Sequence, residues 1–265
     1  DRYVQKIVIP NKKEIKNLLL WRPSDISEIK KITAKAGDWI IMIKSATNVL
    51  KGDNFVFVYP ELLQNKMILR RGEVIKGETV LVHGSTGGVG MAAVQLAKHL
   101  DAKVIATGTS LEKLEKTKDW GADHIVLTHK DENVSFREEV KDLTDGKGAD
   151  VIYDPVGGDV FDESIRCINW GGRLLIVGFA SGRIPSAPVN MPLIKGFSII
   201  GVRAGEYGRR DPIKGEENNQ AIREIAETGA FQPYVCREFP LLESKEAIRF
   251  LEQRKLLGKV AIVMD

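Results

Sequence analysis

From residue 78 onward, short apolar runs rich in Val and Ile alternate with stretches in which apolar residues recur every three or four positions. The first pattern is that of buried strands and the second that of helices. Residues 79–83 predict a strand. Residues 88–100 predict a helix with Val89, Ala92, Ala93, Leu96 and Leu100 on one face. A second strand follows at 103–107 and a second helix at 111–120, stopped by Gly121. Residues 124–127 predict a third strand, and a helix over 134–143 ends at the turn Asp145-Gly-Lys-Gly148. The order then repeats as strand 150–154, helix 160–169, strand 173–177 and a sixth strand at 197–202. Strands alternating with helices of this length predict an α/β fold, a doubly wound parallel sheet covered on both faces.

The two ends break this rhythm. Residues 4–9 alternate Val and Ile with Lys, and 39–43 form an apolar run. After a helix at 216–228, residues 234–239 predict a strand, 244–254 a helix and 259–263 a last strand. Both ends therefore predict a smaller, mostly β second domain. The expected division is 1–62, 63–230 and 231–265.

Composition changes little. The 265 residues are 43% apolar and 28% charged, ordinary for a folded globular chain. The net charge is +3, but residues 1–70 hold thirteen Lys and Arg against seven Asp and Glu. Such an excess attracts nucleic acid or anionic lipid when it is blocked. Here the lysines are scattered, so a solvated surface is expected, with neither nucleic acid nor membrane as a partner. The residual reading is a salt-dependent RNA affinity through Lys12, Lys13 and Lys16. No apolar run reaches transmembrane length. Cys167 and Cys236 form no CxxC pair, which suits free thiols in a reducing, cytoplasmic compartment. The chain begins at Asp1, so a mitochondrial location after removal of a leader stays open.

The chemistry sits after the first of the six strands. Gly84-Ser-Thr-Gly87-Gly88-Val89-Gly90 joins that strand to the first helix. This strand–turn–helix context is what the Rossmann fingerprint requires. One glycine turns the chain, one admits the diphosphate against the backbone, and one lets helix and strand approach closely. The helix N-terminus then offers free N–H groups and partial positive charge to the phosphates. The end of the second strand separates NAD from NADP. An NAD site places Asp or Glu there for the ribose 2′-hydroxyl. This chain has Thr107-Gly-Thr-Ser110 followed by Lys113, a hydroxyl and an ammonium suited to a 2′-phosphate, so NADP(H) is expected. Ser110 is equally placed to cap the second helix, and the two roles are compatible.

Several further stretches carry a family resemblance. Gly77-Glu-Thr-Val-Leu-Val-His-Gly-Ser-Thr-Gly-Gly-Val-Gly90, Ala93-Val-Gln-Leu-Ala-Lys98, Gly121-Ala-Asp-His124, Asp154-Pro-Val-Gly-Gly158, Trp170-Gly-Gly-Arg173, Gly178-Phe-Ala-Ser-Gly182 and Leu257-Gly-Lys-Val260 are the relevant motifs. Over about three quarters of its length the chain resembles the zinc-independent quinone oxidoreductases, the zeta-crystallin-like branch of the medium-chain dehydrogenase/reductases. The resemblance implies that Gly87, Gly88 and Val89 cradle the diphosphate. It implies that Ser110 and Lys113 bind the 2′-phosphate. It places Val156, Gly178, Phe179, Gly201 and Val202 along the dinucleotide, and Gly258 and Lys259 across it from the C-terminal segment. A GroES-like catalytic domain is implied for residues 1–62.

Two departures accompany it. Thr128 and His129 stand where the family often has Tyr and a basic residue. The N-terminal catalytic domain is about half the family's usual length before Gly77, and Lys51 replaces an expected Asp. Residues 35–48 resemble the family's early strand, which ends in an active-site Asn, here Asn48. Asn48 is read either as a hydrogen-bond donor to cofactor or substrate or as a turn residue. Tyr59 is read as a proton donor or as packing. His83, His99, His124 and His129 are not expected to be catalytic, and His83 is expected to pack at a strand end. Zinc-using relatives polarise a carbonyl through Cys and His ligands. No Cys precedes residue 167, so no metal is expected and the acceptor is expected to be a quinone or conjugated enone. The short front end leaves a second expectation, an NADP(H)-binding regulatory or scaffold protein without turnover. Edge-to-edge pairing of residues 197–202 with a second copy would make a homodimer.

Overall fold

The structure, a computed structural model, describes residues 71–130 and 133–263, and before them six strands. These are β1 (Ile7–Val8), β2 (Ile15–Arg22), β3 (Asp25–Ala34), β4 (Asp38–Trp39), β5 (Val49–Gly52) and β6 (Phe55–Val58). β1 pairs with β4 and β2 with β3, both antiparallel. The β2–β3 ribbon was not expected from the sequence, because neither strand shows a clean apolar alternation.

The parallel sheet is built from β7 (Thr79–Val82), β8 (Lys103–Gly108), β9 (His124–Leu127), β12 (Ala149–Asp154), β13 (Ile168–Ile176) and β14 (Ser198–Gly201). Between β9 and β12 lies a two-residue ribbon, β10 (His129–Lys130) with β11 (Asn133–Val134). The spatial order is β14-β13-β12-β7-β8-β9, and every pairing is parallel. This is the doubly wound order expected from the sequence, with its reversal between β7 and β12. Ligands of such sheets lie outside the strand C-termini at that reversal.

Alternation along the strands explains the layers. Val80 and Val82 face a core shared with Ala93, Val94 and Ala97 of α1 (Gly88–His99) and Leu114 of α2 (Leu111–Glu115). Leu81 faces the opposite core, with Val140 of α3 (Arg137–Asp142) and Val160, Phe161 and Ile165 of α4 (Gly158–Cys167). Each of these side chains is almost fully buried, worth about 2 kcal/mol per large aliphatic residue.

The second helix is shorter than its periodicity suggests. It is α-helical to Glu115 and continues as a 3-10 turn over Lys116–Trp120, ending at Gly121 with φ 104°. Two short helices escaped the sequence reading, α5 (Asn190–Lys195) and α6 (Ala204–Arg210). α5 buries no residue and so carries no apolar face. α7 (Pro212–Glu227) starts earlier than expected because Asp211 caps it and Pro212 occupies its first turn.

The C-terminal segment adds β15 (Val235–Pro240), α8 (Ser244–Glu252) and β16 (Lys259–Val263). β15 and β16 join β6 and β5 in a four-stranded sheet, so the second, smaller sheet is built from both chain ends.

One ion pair fixes the approach to β7. Arg173 of β13 donates to both carboxylate oxygens of Glu78, at 2.8 and 2.6 Å, and to the carbonyls of Gly72 and Glu73. The pair is largely buried. Arg173→Leu is expected to destabilise the fold by about 2 kcal/mol, because Glu78 is left without its bidentate partner. Urea unfolding checks this, and an unchanged midpoint would discount the pair.

Candidate functional site

The turn from β7 into α1 forms the centre of the site. Gly87 is the N-cap of α1, with no side chain capping the helix and no acidic residue in its first turn. The first helical N–H groups therefore have no capping side chain competing for them and no acidic residue of that turn to repel an anion. Gly90 is the point of closest approach. A Cβ there would strike the Gly84 carbonyl oxygen and lie 2.6 Å from Ser85 Cα. Only hydrogen fits, as the fingerprint requires. Gly84, Gly87, Gly88 and Val89 are half-buried, and Gly90 is buried.

The C-terminal segment crosses this turn. Gly258, at φ +66°, donates its N–H to the Thr86 carbonyl at 2.9 Å and pairs with Gly87 as an isolated parallel bridge. A side chain at Gly258 would lie 2.5 Å from the Tyr234 carbonyl oxygen. Lys259 lays its side chain over Gly88, with Nζ 2.8 Å from where a Gly88 Cβ would stand. An ammonium beside the positive end of a helix makes a setting of one sign, which suits a diphosphate. The cradle thus fits a dinucleotide.

At the end of β8, Thr107 is buried and turned inward, while Thr109 is exposed and Ser110 half-buried. Ser110 caps α2, accepting the Lys113 N–H at 3.5 Å. Its hydroxyl proton is left for a ligand. Lys113 Nζ donates to the carbonyls of Arg254 at 2.5 Å and Leu256 at 3.0 Å. Two of its three donors thus hold the C-terminal segment, and one remains for a phosphate. That tie could not be read from the sequence, since 141 residues separate Lys113 from Arg254.

Across the reversal, Asp154 ends β12. Its Oδ1 accepts the N–H groups of Val156 and Gly157, each at 2.8 Å, and its carbonyl accepts those of Val177 and Gly178. It holds together the two strand-end turns that carry Val156, Gly178 and Phe179. Burial raises its carboxyl above the usual range, against the two N–H groups that favour the anion. The sequence showed Asp154 only as part of a motif. Phe179 is 42% exposed at the mouth, and Gly201 is exposed. Val202 is in the core, its N–H donating to the Ile176 carbonyl, so only its main-chain oxygen is left to face a ligand. Asn48 and Tyr59 lie outside the described residues.

His83 is fully buried behind the turn. Its Nδ1 meets Thr107 Oγ1 and its Nε2 meets Ser164 Oγ, both at 2.8 Å. Ser164 donates to the Val160 carbonyl at 2.7 Å and so accepts from Nε2–H; Thr107, whose alternative acceptor is 3.3 Å away, donates to Nδ1. Burial lowers the imidazole to about 3. Since the unfolded imidazole titrates near 6.5, stability falls as pH drops below that value, by about 2 kcal/mol at pH ~5. Urea midpoints at the two ends of that window are expected to show this, and His83→Gln to flatten it; an equal pH slope in the variant would reject the assignment.

Residues 88–227, more than half of the chain, match the family model described as zinc-binding dehydrogenase. The chain belongs to this family. Within it the chain falls in the quinone oxidoreductase-like branch of the medium-chain dehydrogenase/reductases. A quinone oxidoreductase-like protein 2 homolog of Nematostella vectensis is 38% identical over 187 residues, 70% of this chain and 50% of that one. An acryloyl-coenzyme A reductase of Sulfurisphaera tokodaii is 32% identical over 200 residues, 74% and 53% of the two chains. A mycobacterial protein solved in complex with NADPH superposes with TM-score 0.68 at 30% identity, over 77% of this chain and 62% of that one. The chain spans about half the length of these two curated relatives. Members of this family are oxidoreductases with a nicotinamide-type dinucleotide fold. Among the described residues, no group of three or more His, Cys, Asp or Glu could hold a metal ion. The buried Cys167 thiol is pushed up to about 12 by burial, which keeps it unreactive.

Proposed function

We propose that this protein is an NADPH-dependent reductase that passes a hydride to a quinone or conjugated enone without a metal. The observation that carries the reading is the pairing of an uncapped, acid-free α1 N-terminus with Ser110 and Lys113 at the end of β8. The NADPH complex of the mycobacterial neighbour supports the choice of cofactor, and the acryloyl-coenzyme A reductase supports a conjugated acceptor.

Gly84, Gly87, Gly88, Val89 and Gly90 hold the diphosphate, with Lys259 and Gly258 closing over it. Ser110 and Lys113 take the 2′-phosphate. Val156, Gly178, Phe179, Gly201 and Val202 line the nicotinamide half, on turns that Asp154 holds. The bound dihydronicotinamide supplies the hydride; the protein's part is to orient it and to exclude water. Asn48 and Tyr59 are the proposed polar contacts to the acceptor. The proposed domain boundaries remain 1–62, 63–230 and 231–265.

β14 ends the sheet and, among the described residues, pairs only with β13, so its outer edge is the proposed seam of a homodimer. No helix among the described residues is long and apolar enough to cross a membrane. The proposed compartment is cytoplasmic, with mitochondrial as the alternative, and no nucleic acid is proposed as a partner.

Titration with NADPH and NADH, followed by an acceptor screen, tests this reading. Affinity for NADPH over NADH together with oxidation of NADPH by quinones or enones is expected. No affinity for either nucleotide would sink it. The alternative reading is an NADP(H)-binding regulator without turnover. Tight NADPH binding with no turnover on any acceptor would select it.

A further inference from the structure

Arg203 stands apart from the arginines around it. It directly follows Val202, whose N–H donates to the Ile176 carbonyl at 2.9 Å, so it sits where the sixth strand of the sheet leaves the core. Its side chain is exposed and meets no carboxylate or carbonyl among the described residues. Its neighbours differ. Arg209 and Arg210 both take the carboxylate of Glu206, at 2.9 and 3.2 Å. Arg183 takes Asp159 and Asp162. Arg71 reaches across to the same strand end, donating to the Gly201 carbonyl at 3.4 Å, and adds a second guanidinium there.

The position is as informative as the charge. Strands of a sheet lie about 4.8 Å apart, so the end of β14 is about 19 Å from that of β8, four strands away. Lys113 marks the β8 end, where a 2′-phosphate is proposed. The β14 end lies beyond the reversal, on the half proposed for the reacting ring. Of the residues between, Asp154 is buried, Gly178 and Phe179 are uncharged, and the exposed carboxylates of Asp159 and Asp162 are both taken by Arg183. The reactive half is therefore cationic at its outer edge, a poor match for a neutral quinone and a good one for an acid. Arginine adds geometry, because its fork takes a carboxylate through two parallel hydrogen bonds.

We propose that Arg203 is a substrate-binding residue that selects acceptors bearing a carboxylate conjugated to the reducible double bond, that is, 2-enoates. This deepens the reductase reading above and rests on it. The chemistry gives the guanidinium a task. A carboxylate deactivates its double bond, since the hydride must arrive on an anion. As the β-carbon forms its C–H bond, the π bond breaks and its electron pair moves onto the α-carbon and carboxylate as an enediolate. A proton from solvent then completes the α-carbon. The enoate is reduced by two electrons and the dihydronicotinamide is oxidised. Arg203 pairs with the carboxylate before transfer and meets the larger charge that develops during it.

The test compares Arg203→Met and Arg203→Lys with the unaltered chain, using crotonate, the matched uncharged ketone pent-3-en-2-one and benzoquinone. The Met variant is expected to lose roughly 30-fold in kcat/KM for crotonate, the scale of a charge-assisted pair, with ketone turnover and NADPH affinity within about twofold. The Lys variant is expected to fall between, keeping the charge without the fork. Quenching of bound NADPH fluorescence by crotonate gives the same comparison as a binding measurement if turnover is slow. Equal losses on crotonate and ketone, or an unaltered chain that reduces the ketone and neither binds nor reduces crotonate, would overturn the proposal while leaving the reductase reading intact. Failure of the unaltered chain to bind NADPH would overturn both.

Discussion

Gly90→Ala is expected to remove dinucleotide binding and to lower the thermal midpoint by about 9 °C. The added methyl would meet the Gly84 carbonyl oxygen and Ser85 Cα, and neither backbone atom can rotate away. Overpacking of this kind costs about 3 kcal/mol, and a domain of this size loses about 3 °C per kcal/mol. Calorimetry and NADPH fluorescence titration read the two effects. Gly87→Ala is the contrast. A Cβ there makes only an ordinary contact, 3.5 Å from the Gly84 carbonyl oxygen, and Gly87 has a negative φ of −85°. It is expected to leave stability within about 1 kcal/mol while weakening NADPH and NADH alike, because a methyl stands where the diphosphate must approach. Full affinity in both variants would remove the diphosphate from this turn.

Lys113→Glu is expected to weaken NADPH by about a hundredfold and NADH by only a few fold. A carboxylate would then face the 2′-phosphate near the protein surface, where close like charges cost a few kcal/mol at the effective dielectric. Lys113 also holds the carbonyls of Arg254 and Leu256, so part of any loss comes from loosening the C-terminal segment. Lys113→Met separates the two. It loses both hydrogen bonds and adds no repulsion, so its effect on NADH measures the segment alone. Comparable losses of NADPH and NADH in the Glu variant would reject Lys113 as the phosphate ligand and leave it a structural tie.

The two residues differ in how they could be read from the chain. Gly90 was legible because its neighbours are consecutive: a strand, a turn and a helix within twelve residues leave little freedom in where the glycine falls. The same holds for the six strands, whose burial on both faces writes continuous Val and Ile runs. Lys113 was legible as a cation near a strand end, and its engagement with Arg254 and Leu256 was not. Asp154 and His83 were visible as residues of motifs, but their bonding depends on turns and helices from elsewhere in the chain. α5 left no periodic signal because it buries no residue, and burial is what writes that signal.

The amino-acid order alone determined the sheet, its winding and the turn that opens α1, since each follows from local periodicity and from glycines placed within a few residues of one another. Tertiary structure decided what stands over that turn. Gly258, Lys259 and the carbonyls of Arg254 and Leu256 arrive from more than 140 residues away. Arg203 acquires its meaning only once pairing sets β14 at the outer edge of the sheet. Contacts between distant segments arise from packing and pairing of whole elements, and a linear pattern records which elements exist without recording which ends meet.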